Sequence, residues 1–214
     1  MELDHVVIAV ADLDASAHTI EARFGLASVE GGRHPKWGTA NRIVPLGDSY
    51  LELVTVVDAL IAAESVFGRW VASGASADGR LLGWAARTHE LDDVARRLEL
   101  SVHAGSRAAP GGQVLRWRIA GIDQAASEPP LPFFIEWGRG IQFPGQAPVK
   151  HPAGAARIAR LVLSADPARL AAWLGNQPLR IVVRTGPPAL VAVHISSEAG
   201  EIVIGHEAIS AAES

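Results

Sequence analysis

The chain has 214 residues, of which 49% are hydrophobic, so it can bury a core as one large domain or two small ones. It contains no cysteine, which excludes disulfides, thiolate nucleophiles and cysteine-ligated metals, so a bound metal would need His, Asp or Glu ligands. A net charge of -4 argues against a nucleic-acid partner. No apolar run reaches the roughly 18 to 20 residues that span a bilayer, and the first residues do not resemble a secretion signal. We therefore expect a cytoplasmic protein without a membrane partner.

The first predicted element is a strand over residues 3–10 that carries a single histidine. Side chains alternate between the two faces of a strand, which predicts a shared face for Leu3, His5, Val7 and Ala9. Both faces are apolar except at His5, so we expect the strand to be covered on both sides. His5 is then either a metal ligand or a packed core residue.

A helix follows this strand, with Asp12 as its N-cap and Gly25 at its end. Gly31 and Gly32 predict a bend in the chain. The remaining elements predicted for this first unit are strands at 39–46 and 49–56, a linking helix at 60–71 and a flexible loop at 73–79.

The pattern of strand, helix and further strands then restarts twice. The second round has a strand at 81–87, a helix at 90–100 and strands at 114–120 and 131–137. The third has a strand at 158–164, a helix that starts at Asp166-Pro167, and strands at 179–184, 190–195 and 201–204. The last strand of each round carries one glutamate, namely Glu52, Glu136 and Glu201. The histidine is not repeated, because the positions that correspond to His5 hold Gly83 and Ala159.

Two segments carry a resemblance to a known superfamily. Leu3-Asp4-His5-Val6-Val7-Ile8-Ala9-Val10, followed by Tyr50-Leu51-Glu52-Leu53-Val54, resembles the vicinal oxygen chelate superfamily of glyoxalases, extradiol dioxygenases and bleomycin-resistance proteins. Its glyoxalase-like branch is similar through Gly32-Arg33-His34-Pro35-Lys36-Trp37-Gly38-Thr39-Ala40-Asn41 and Leu131-Pro132-Phe133-Phe134-Ile135-Glu136-Trp137. The resemblance implies an α+β fold of repeated βαβββ modules, of which the first two form a cleft.

The implied domain organisation follows from these modules. Modules at 1–72 and 80–138 would form a glyoxalase-like domain, followed by a linker or lid loop at 139–155. A third βαβββ-like module would occupy 156–206, with a tail at 207–214. Because three modules leave one without a partner in the chain, we predict that the third pairs across a homodimer.

The resemblance also implies metal ligands on the first and last strands of each module. In this chain those positions offer His5, Glu52 and Glu136, whereas Gly83 stands where a fourth ligand is expected. One imidazole and two carboxylates favour Zn²⁺, Mn²⁺, Fe²⁺ or Ni²⁺ as the divalent metal. Glu52 and Glu136 are also the candidate catalytic residues, because a carboxylate can move a proton while the metal stabilises an enolate-like oxyanion. A glutamate between Leu51 and Leu53 needs some partner, since burying an unpaired charge is costly.

Seven further residues are candidate substrate contacts, namely His34, Trp37, Thr39, Asn41, Trp84, Arg116 and Arg118. The first four form a polar and aromatic segment typical of a binding loop, with turn chemistry around a packed tryptophan as the alternative. Core packing is the alternative for Trp84, and a solvated strand face is the alternative for the two arginines.

The leading functional prediction is a divalent-metal-dependent lyase or isomerase that acts on a small oxygenated molecule in the cleft. One alternative is a metal-free protein of the bleomycin-resistance type that binds and sequesters a small molecule, and another is a scaffold with a filled cleft. Gly83 in the place of a ligand favours the metal-free alternative, and a buried Glu52 beside His5 favours the enzyme.

Overall fold

The computed structural model describes residues 1–108 and 114–205. The first unit comprises β1 (Glu2–Ala9), α1 (Leu13–Phe24), β2 (Val29–His34), β3 (Thr39–Pro45) and β4 (Tyr50–Val56). The second unit follows α2 (Ala59–Glu64) and α3 (Val66–Gly74), and comprises β5 (Arg80–Arg87), α4 (Leu91–Leu98), β6 (Val102–Ala108), β7 (Val114–Ala120), α5 (Ile122–Ser127) and β8 (Phe133–Trp137). The third unit comprises β9 (Ala156–Ser164), α6 (Pro167–Leu174), β10 (Ile181–Arg184), β11 (Ala189–Ser197) and β12 (Gly200–Gly205).

Eight strands from the first two units form a closed barrel in the order β1-β4-β3-β2-β6-β7-β8-β5. In each unit the first strand pairs in parallel with the last, β1 with β4 and β5 with β8. The units meet at two seams. At one, β1 pairs antiparallel with β5 along most of its length. At the other, β2 and β6 are joined by the pair Arg33 and Ala108 among the described residues.

The second seam contains the two strands that the sequence patterns do not predict. The expected bend at Gly31 and Gly32 is wrong, because both glycines lie within β2. A Cβ on Gly32, which has φ +143°, would lie 2.2 Å from the carbonyl oxygen of Ala108 on β6. The glycine pair therefore lets two backbones approach closely inside a sheet rather than turning the chain.

β1 contains a bulge that changes which side chains share a face. Its register against β5 shifts between Leu3 and His5, which makes Asp4 an extra residue. Leu3 consequently packs in the same core cluster as Val6 and Ile8, while His5 faces the barrel interior. The predicted shared face of Leu3 and His5 is therefore wrong.

Two apolar cores result from this arrangement. The inner core lies inside the barrel, where α3 contributes Phe67 and Trp70 beside residues of the strands. The outer core joins the outward side chains of the barrel to α6 and the sheet of the third unit through Ile8, Trp84, Leu163 and Trp173. The predicted linking helix at 60–71 is two helices, because the hydroxyl of Ser65 caps a new helix start.

The third unit has the predicted order of elements but a different sheet. Its strands run in the order β10-β9-β11-β12, so the first strand does not contact the last as it does in the barrel units. The unit packs on the barrel of the same chain, and Arg97 of α4 donates to the Ala172 and Trp173 carbonyls at the end of α6. The expectation of a dimer rests on a third unit without a partner within the chain, and the barrel provides such a partner. The dimer itself stays a prediction.

The connection between barrel and third unit is tied to the first unit. His151 accepts a hydrogen bond from the Ala27 amide at 3.0 Å, and its Nε2 donates to the Pro45 carbonyl at 2.7 Å. The predicted domain boundaries stay a prediction, and residue 206 and the tail at 207–214 lie outside the described residues. No helix within 1–108 and 114–205 is long and apolar enough to cross a membrane.

Candidate functional site

The barrel encloses a small cavity whose volume is about 30 Å³. A cavity needs roughly 10–15 Å³ to hold one water, and pockets for drug-sized ligands are roughly 300–1,000 Å³. Without side-chain movement the cavity therefore suits only a molecule of a few non-hydrogen atoms. It is lined by His5, His34, Trp37, Asn41, Tyr50, Glu52, Phe67, Arg107, Trp117, Ile119, Phe133, Ile135 and Trp137.

His5 is held at the cavity wall by its neighbour in sequence. Its Nδ1 lies 2.6 Å from Oδ1 of the fully buried Asp4. The other carboxylate oxygen of Asp4 accepts a hydrogen bond from Nε1 of Trp137 at 2.9 Å and lies 3.5 Å from Nη1 of Arg87. With an ionised Asp4, His5 carries its proton on Nδ1 and directs Nε2 away from Asp4.

Glu52 faces this imidazole from the adjacent strand. Its Oε2 lies 3.6 Å from Nε2 of His5, while its Oε1 accepts a hydrogen bond from the amide of Asn41. The partners that a buried Glu52 requires are therefore an imidazole and an amide. An Nε2 to Oε2 separation of 3.6 Å is too long for a direct hydrogen bond, so the two groups face each other without being locked together.

His34 extends the same line of polar groups across the barrel. Its Nδ1 lies 2.9 Å from the hydroxyl of Thr39, and its Nε2 lies 3.5 Å from Nδ2 of Asn41. Burial lowers the pKa of His34 to about 4, against an opposing effect of the Glu52 charge, so the ring is neutral at pH 7. We call Thr39, His34, Asn41, Glu52, His5 and Asp4 the interior polar chain.

Three residues with hydrogen-bonding or charged side chains at the site, besides its aromatic and aliphatic lining, are absent from the predicted set. Tyr50 stacks on His5 with ring centroids 4.6 Å apart, and Arg107 donates to the carbonyl of Gly31. Asp4 is the third. Alternation from Glu52 could have indicated Tyr50, which lies two positions earlier on the same strand. Arg107 lies on a polar strand without apolar alternation, and the Asp4 contact depends on a bulge that no sequence pattern here marks.

The predicted site residues fall into two groups. The structure brings His5, His34, Trp37, Asn41 and Glu52 together at the cavity, with the side chain of Thr39 directly behind His34. The remaining four, which the cavity does not include, are Glu136, Trp84, Arg116 and Arg118.

Glu136 and the two arginines line a separate outer recess of about 460 Å³. There Glu136 accepts a hydrogen bond from Nε of Arg118 at 2.9 Å, and the same guanidinium pairs with Asp92 at 2.8 Å. Trp84 is completely buried in the outer core and donates to the Pro130 carbonyl at 3.0 Å. These residues occupy the opposite side of the barrel wall from His5.

The side chains at the cavity do not fit the divalent metal that the resemblance implies. Within residues 1–108 and 114–205, no three His, Asp or Glu side chains are placed to hold a metal ion. Glu136 is directed away from His5 and Glu52. A Cβ on Gly83 would lie 2.7 Å from Cη2 of Trp70, so an aromatic ring fills the space that a fourth ligand would need.

Comparison with solved structures gives a similar overall architecture. A hypothetical protein from Staphylococcus aureus has a TM-score of 0.68 at 15% identity, covering 92% of this chain and 91% of that chain. A variant of Streptomyces coelicolor methylmalonyl-CoA epimerase in complex with 2-nitronate-propionyl-CoA has a TM-score of 0.46 at 20% identity, covering 66% of this chain and 99% of that chain. The methylmalonyl-CoA epimerase of Mycobacterium tuberculosis has a TM-score of 0.44 at 21% identity, covering 64% and 86%. At 15% identity the likeness to the Staphylococcus aureus protein concerns the fold alone.

The sequence itself matches a protein family over most of its length. No curated protein matches the chain. Residues 3–178, however, match the glyoxalase-like domain family. The predicted resemblance and the predicted α+β fold class are thereby confirmed, and the chain belongs to the glyoxalase-like domain family of the vicinal oxygen chelate superfamily.

Proposed function

We propose that the barrel interior is the active site of a metal-independent isomerase or lyase that moves a proton on a small oxygenated molecule. The observation that carries this proposal is the pair formed by His5 and Glu52. Their facing atoms are 3.6 Å apart at the wall of one small cavity, and each side chain is held by a separate partner, Asp4 or Asn41. Two positioned proton carriers at one cavity are the usual arrangement for general acid–base catalysis.

The chemistry follows from the positions of the two groups. A substrate with a C–H bond next to a carbonyl loses that proton to Nε2 of His5, and Asp4 stabilises the imidazolium that forms. This step leaves an enolate, and the carboxylate of Glu52 faces the imidazolium from the cavity side. Return of the proton to the same carbon restores the substrate. When that carbon also carries a hydroxyl, Glu52 passes the hydroxyl proton to the carbonyl oxygen and His5 returns its proton to the former carbonyl carbon, which completes an isomerisation without any net gain or loss of protons.

Residues 1–108 and 114–205 offer no fitting donor set at the cavity, which supports a metal-free reaction. The predicted metal-dependent enzyme needs Glu136 beside His5 and Glu52, whereas Glu136 is engaged with Arg118 on the outside of the barrel. The oxyanion would instead be stabilised by hydrogen-bond donors of the cavity wall.

Binding without reaction is the second candidate, because aromatic rings such as Trp37, Trp117 and Phe133 form much of the wall. A ligand of several rings is disfavoured by size, since pockets for drug-sized ligands are roughly 300–1,000 Å³ and this one has about 30 Å³. A binding role would therefore also concern a small molecule.

The decisive experiment is proton exchange with solvent. The protein is incubated in D₂O with small carbonyl compounds such as pyruvate, pyruvamide and hydroxyacetone, and replacement of C–H by C–D is followed by NMR. We expect exchange that persists in EDTA and is lost in His5→Asn and Glu52→Gln. Glu136→Gln is the matched control and should retain it.

Three results would count against the proposal. Exchange that depends on added Mn²⁺, Ni²⁺ or Zn²⁺ would restore the metal-dependent prediction. Equal loss in Glu52→Gln and Glu136→Gln would show that the interior pair is not the reacting group. Binding of these compounds without exchange would favour the binding protein.

A further inference from the structure

Arg107 has a buried guanidinium without a carboxylate partner in the described parts of the chain. The side chain lies at the cavity wall, and its residue is only 6% exposed. Its one hydrogen bond there is donated to the backbone carbonyl of Gly31. The segment that follows β6, residues 109–113, contains no acidic residue.

Two other arginines near the barrel wall have their positive charges balanced by carboxylates. Arg87 pairs with Glu2 and Asp4. Arg118 pairs with Asp92 and Glu136. A guanidinium offers five N–H donors in a planar fork that matches a carboxylate. Within the part of the chain that the structure describes, one hydrogen bond to Gly31 uses this fork at Arg107, which leaves most of it for another acceptor.

The surroundings of Arg107 disfavour its charge. Burial is the main effect and lowers the pKa of the guanidinium, with Tyr50 and Glu52 acting in the opposite direction. Removing a charge from water without a close counter-ion is costly. A positive charge kept in such a place is more readily explained by a ligand that brings the counter-ion than by a structural role.

We infer that Arg107 binds the carboxylate of the substrate, so that the proposed function acts on small monocarboxylates that also carry a carbonyl group. This inference rests on the proposed function, because it assigns the substrate class of the same cavity. The carboxylate forms two parallel hydrogen bonds with the guanidinium fork. The reactive end of the molecule is then directed to His5 and Glu52.

Two features select a monocarboxylate over a larger or more highly charged anion. The volume of about 30 Å³ limits the ligand to a few non-hydrogen atoms unless side chains move. Asp4 and Glu52 already place two carboxylates in the interior, which repel a second negative charge on the ligand. Tyr50 adds a neutral donor, because burial and both carboxylates raise its pKa well above the usual value.

The test compares two ligands of the same shape. Binding of pyruvate and pyruvamide is measured by quenching of tryptophan fluorescence, to which Trp37, Trp117 and Trp137 at the cavity contribute, and by thermal shift. We expect pyruvate to bind more tightly than pyruvamide. Arg107→Met should weaken pyruvate binding about 10- to 100-fold and leave pyruvamide binding unchanged.

A control and a second measurement keep the test independent of folding. Arg116→Met, on the outer face of the same barrel, should bind pyruvate like the wild type. Without ligand, Arg107→Met should melt at the same temperature as the wild type or higher, because it removes an uncompensated buried charge. Chloride and nitrate are included to separate carboxylate recognition from attraction of any monoanion.

The outcomes separate the two proposals. Equal binding of pyruvate and pyruvamide, unchanged pyruvate binding in Arg107→Met, equal competition by chloride, or no pyruvate binding would each overturn the role of Arg107. Carboxylate binding that depends on Arg107 but is not followed by proton exchange would uphold this inference and overturn the proposed reaction. If pyruvamide exchanged its protons as fast as pyruvate, the proposed reaction would be upheld and the role of Arg107 overturned.

Discussion

Asp4 and His5 are adjacent in sequence, yet their side chains meet at 2.6 Å inside the barrel. Adjacent residues of a regular strand point to opposite faces, so this contact exists only because β1 is bulged at Asp4. The bulge thereby provides the histidine with a carboxylate that fixes its orientation. Because that carboxylate is bound by Trp137 and Arg87 as well, its position is set from three directions.

Asp4→Asn should reduce proton exchange by about 100-fold or more. The amide can donate to Nδ1 of His5, which favours the tautomer with the proton on Nε2 and removes the base from the cavity. The measurement is the exchange rate in D₂O. Glu2→Gln is the control, because Glu2 is a largely exposed partner of Arg87. An exchange rate within a few-fold of the wild type in Asp4→Asn would mean that Asp4 only packs the interior.

Metal removal should leave activity and stability unchanged. Protein purified without chelator should contain much less than one equivalent of divalent metal by elemental analysis, because the described residues at the cavity supply two close ligands, His5 and Glu52. The same analysis of Glu52→Gln and Glu136→Gln gives the matched comparison. About one equivalent of metal in the wild type that is lost in Glu52→Gln would contradict this expectation.

The sequence is informative where the chain is regular. Apolar alternation and helix caps predict β1, β3, β4 and the ends of α1, and the resemblance identifies His5 and Glu52. Prediction fails where geometry depends on backbone contact between distant segments. β2 and β6 are polar and glycine-rich, so nothing local marks them as strands, and Arg107 is missed with β6.

Glu136 shows a different limit of sequence interpretation. Its place in the last strand of the second unit matches that of Glu52, but on β8 the interior positions are those of Phe133, Ile135 and Trp137. Side chains alternate with a period of two, so a repeat that is displaced by one residue places the glutamate on the other face. Motif spacing alone does not reveal such a displacement.

Gly32→Ala should destabilise the barrel by about 1–3 kcal/mol. The residue has φ +143°, and a Cβ would lie 2.2 Å from the Ala108 carbonyl at the seam of β2 and β6. Gly200→Ala is the matched control, since Gly200 has φ +127° but has no atoms within 4 Å of its would-be Cβ among the described residues. Denaturant unfolding measures both free energies. If both variants lost the same unfolding free energy, the positive φ alone would explain the need for glycine at position 32, and the contact across the seam would not.

His34 should make the protein less stable as the pH falls below about 6.5, the usual pKa of histidine. In the folded protein its pKa is lowered to about 4 by burial, so between these two values the unfolded chain binds the proton and the folded protein does not. The free energy of unfolding therefore rises with pH through this interval and becomes independent of His34 below about pH 4. The free energy of unfolding that His34 contributes at pH 7, relative to pH 4 and below, is about 3 kcal/mol.

The measurement is the free energy of unfolding between pH 4 and pH 7 in the wild type and in His34→Gln. The glutamine amide can replace one hydrogen bond to Thr39 or Asn41 but does not titrate, so the variant should lose much of the pH dependence. His18→Gln, on the exposed side of α1, should retain it. An identical pH dependence in the wild type and His34→Gln would mean that His34 does not resist protonation in the fold, and that the interior polar chain is more accessible to water than its burial indicates.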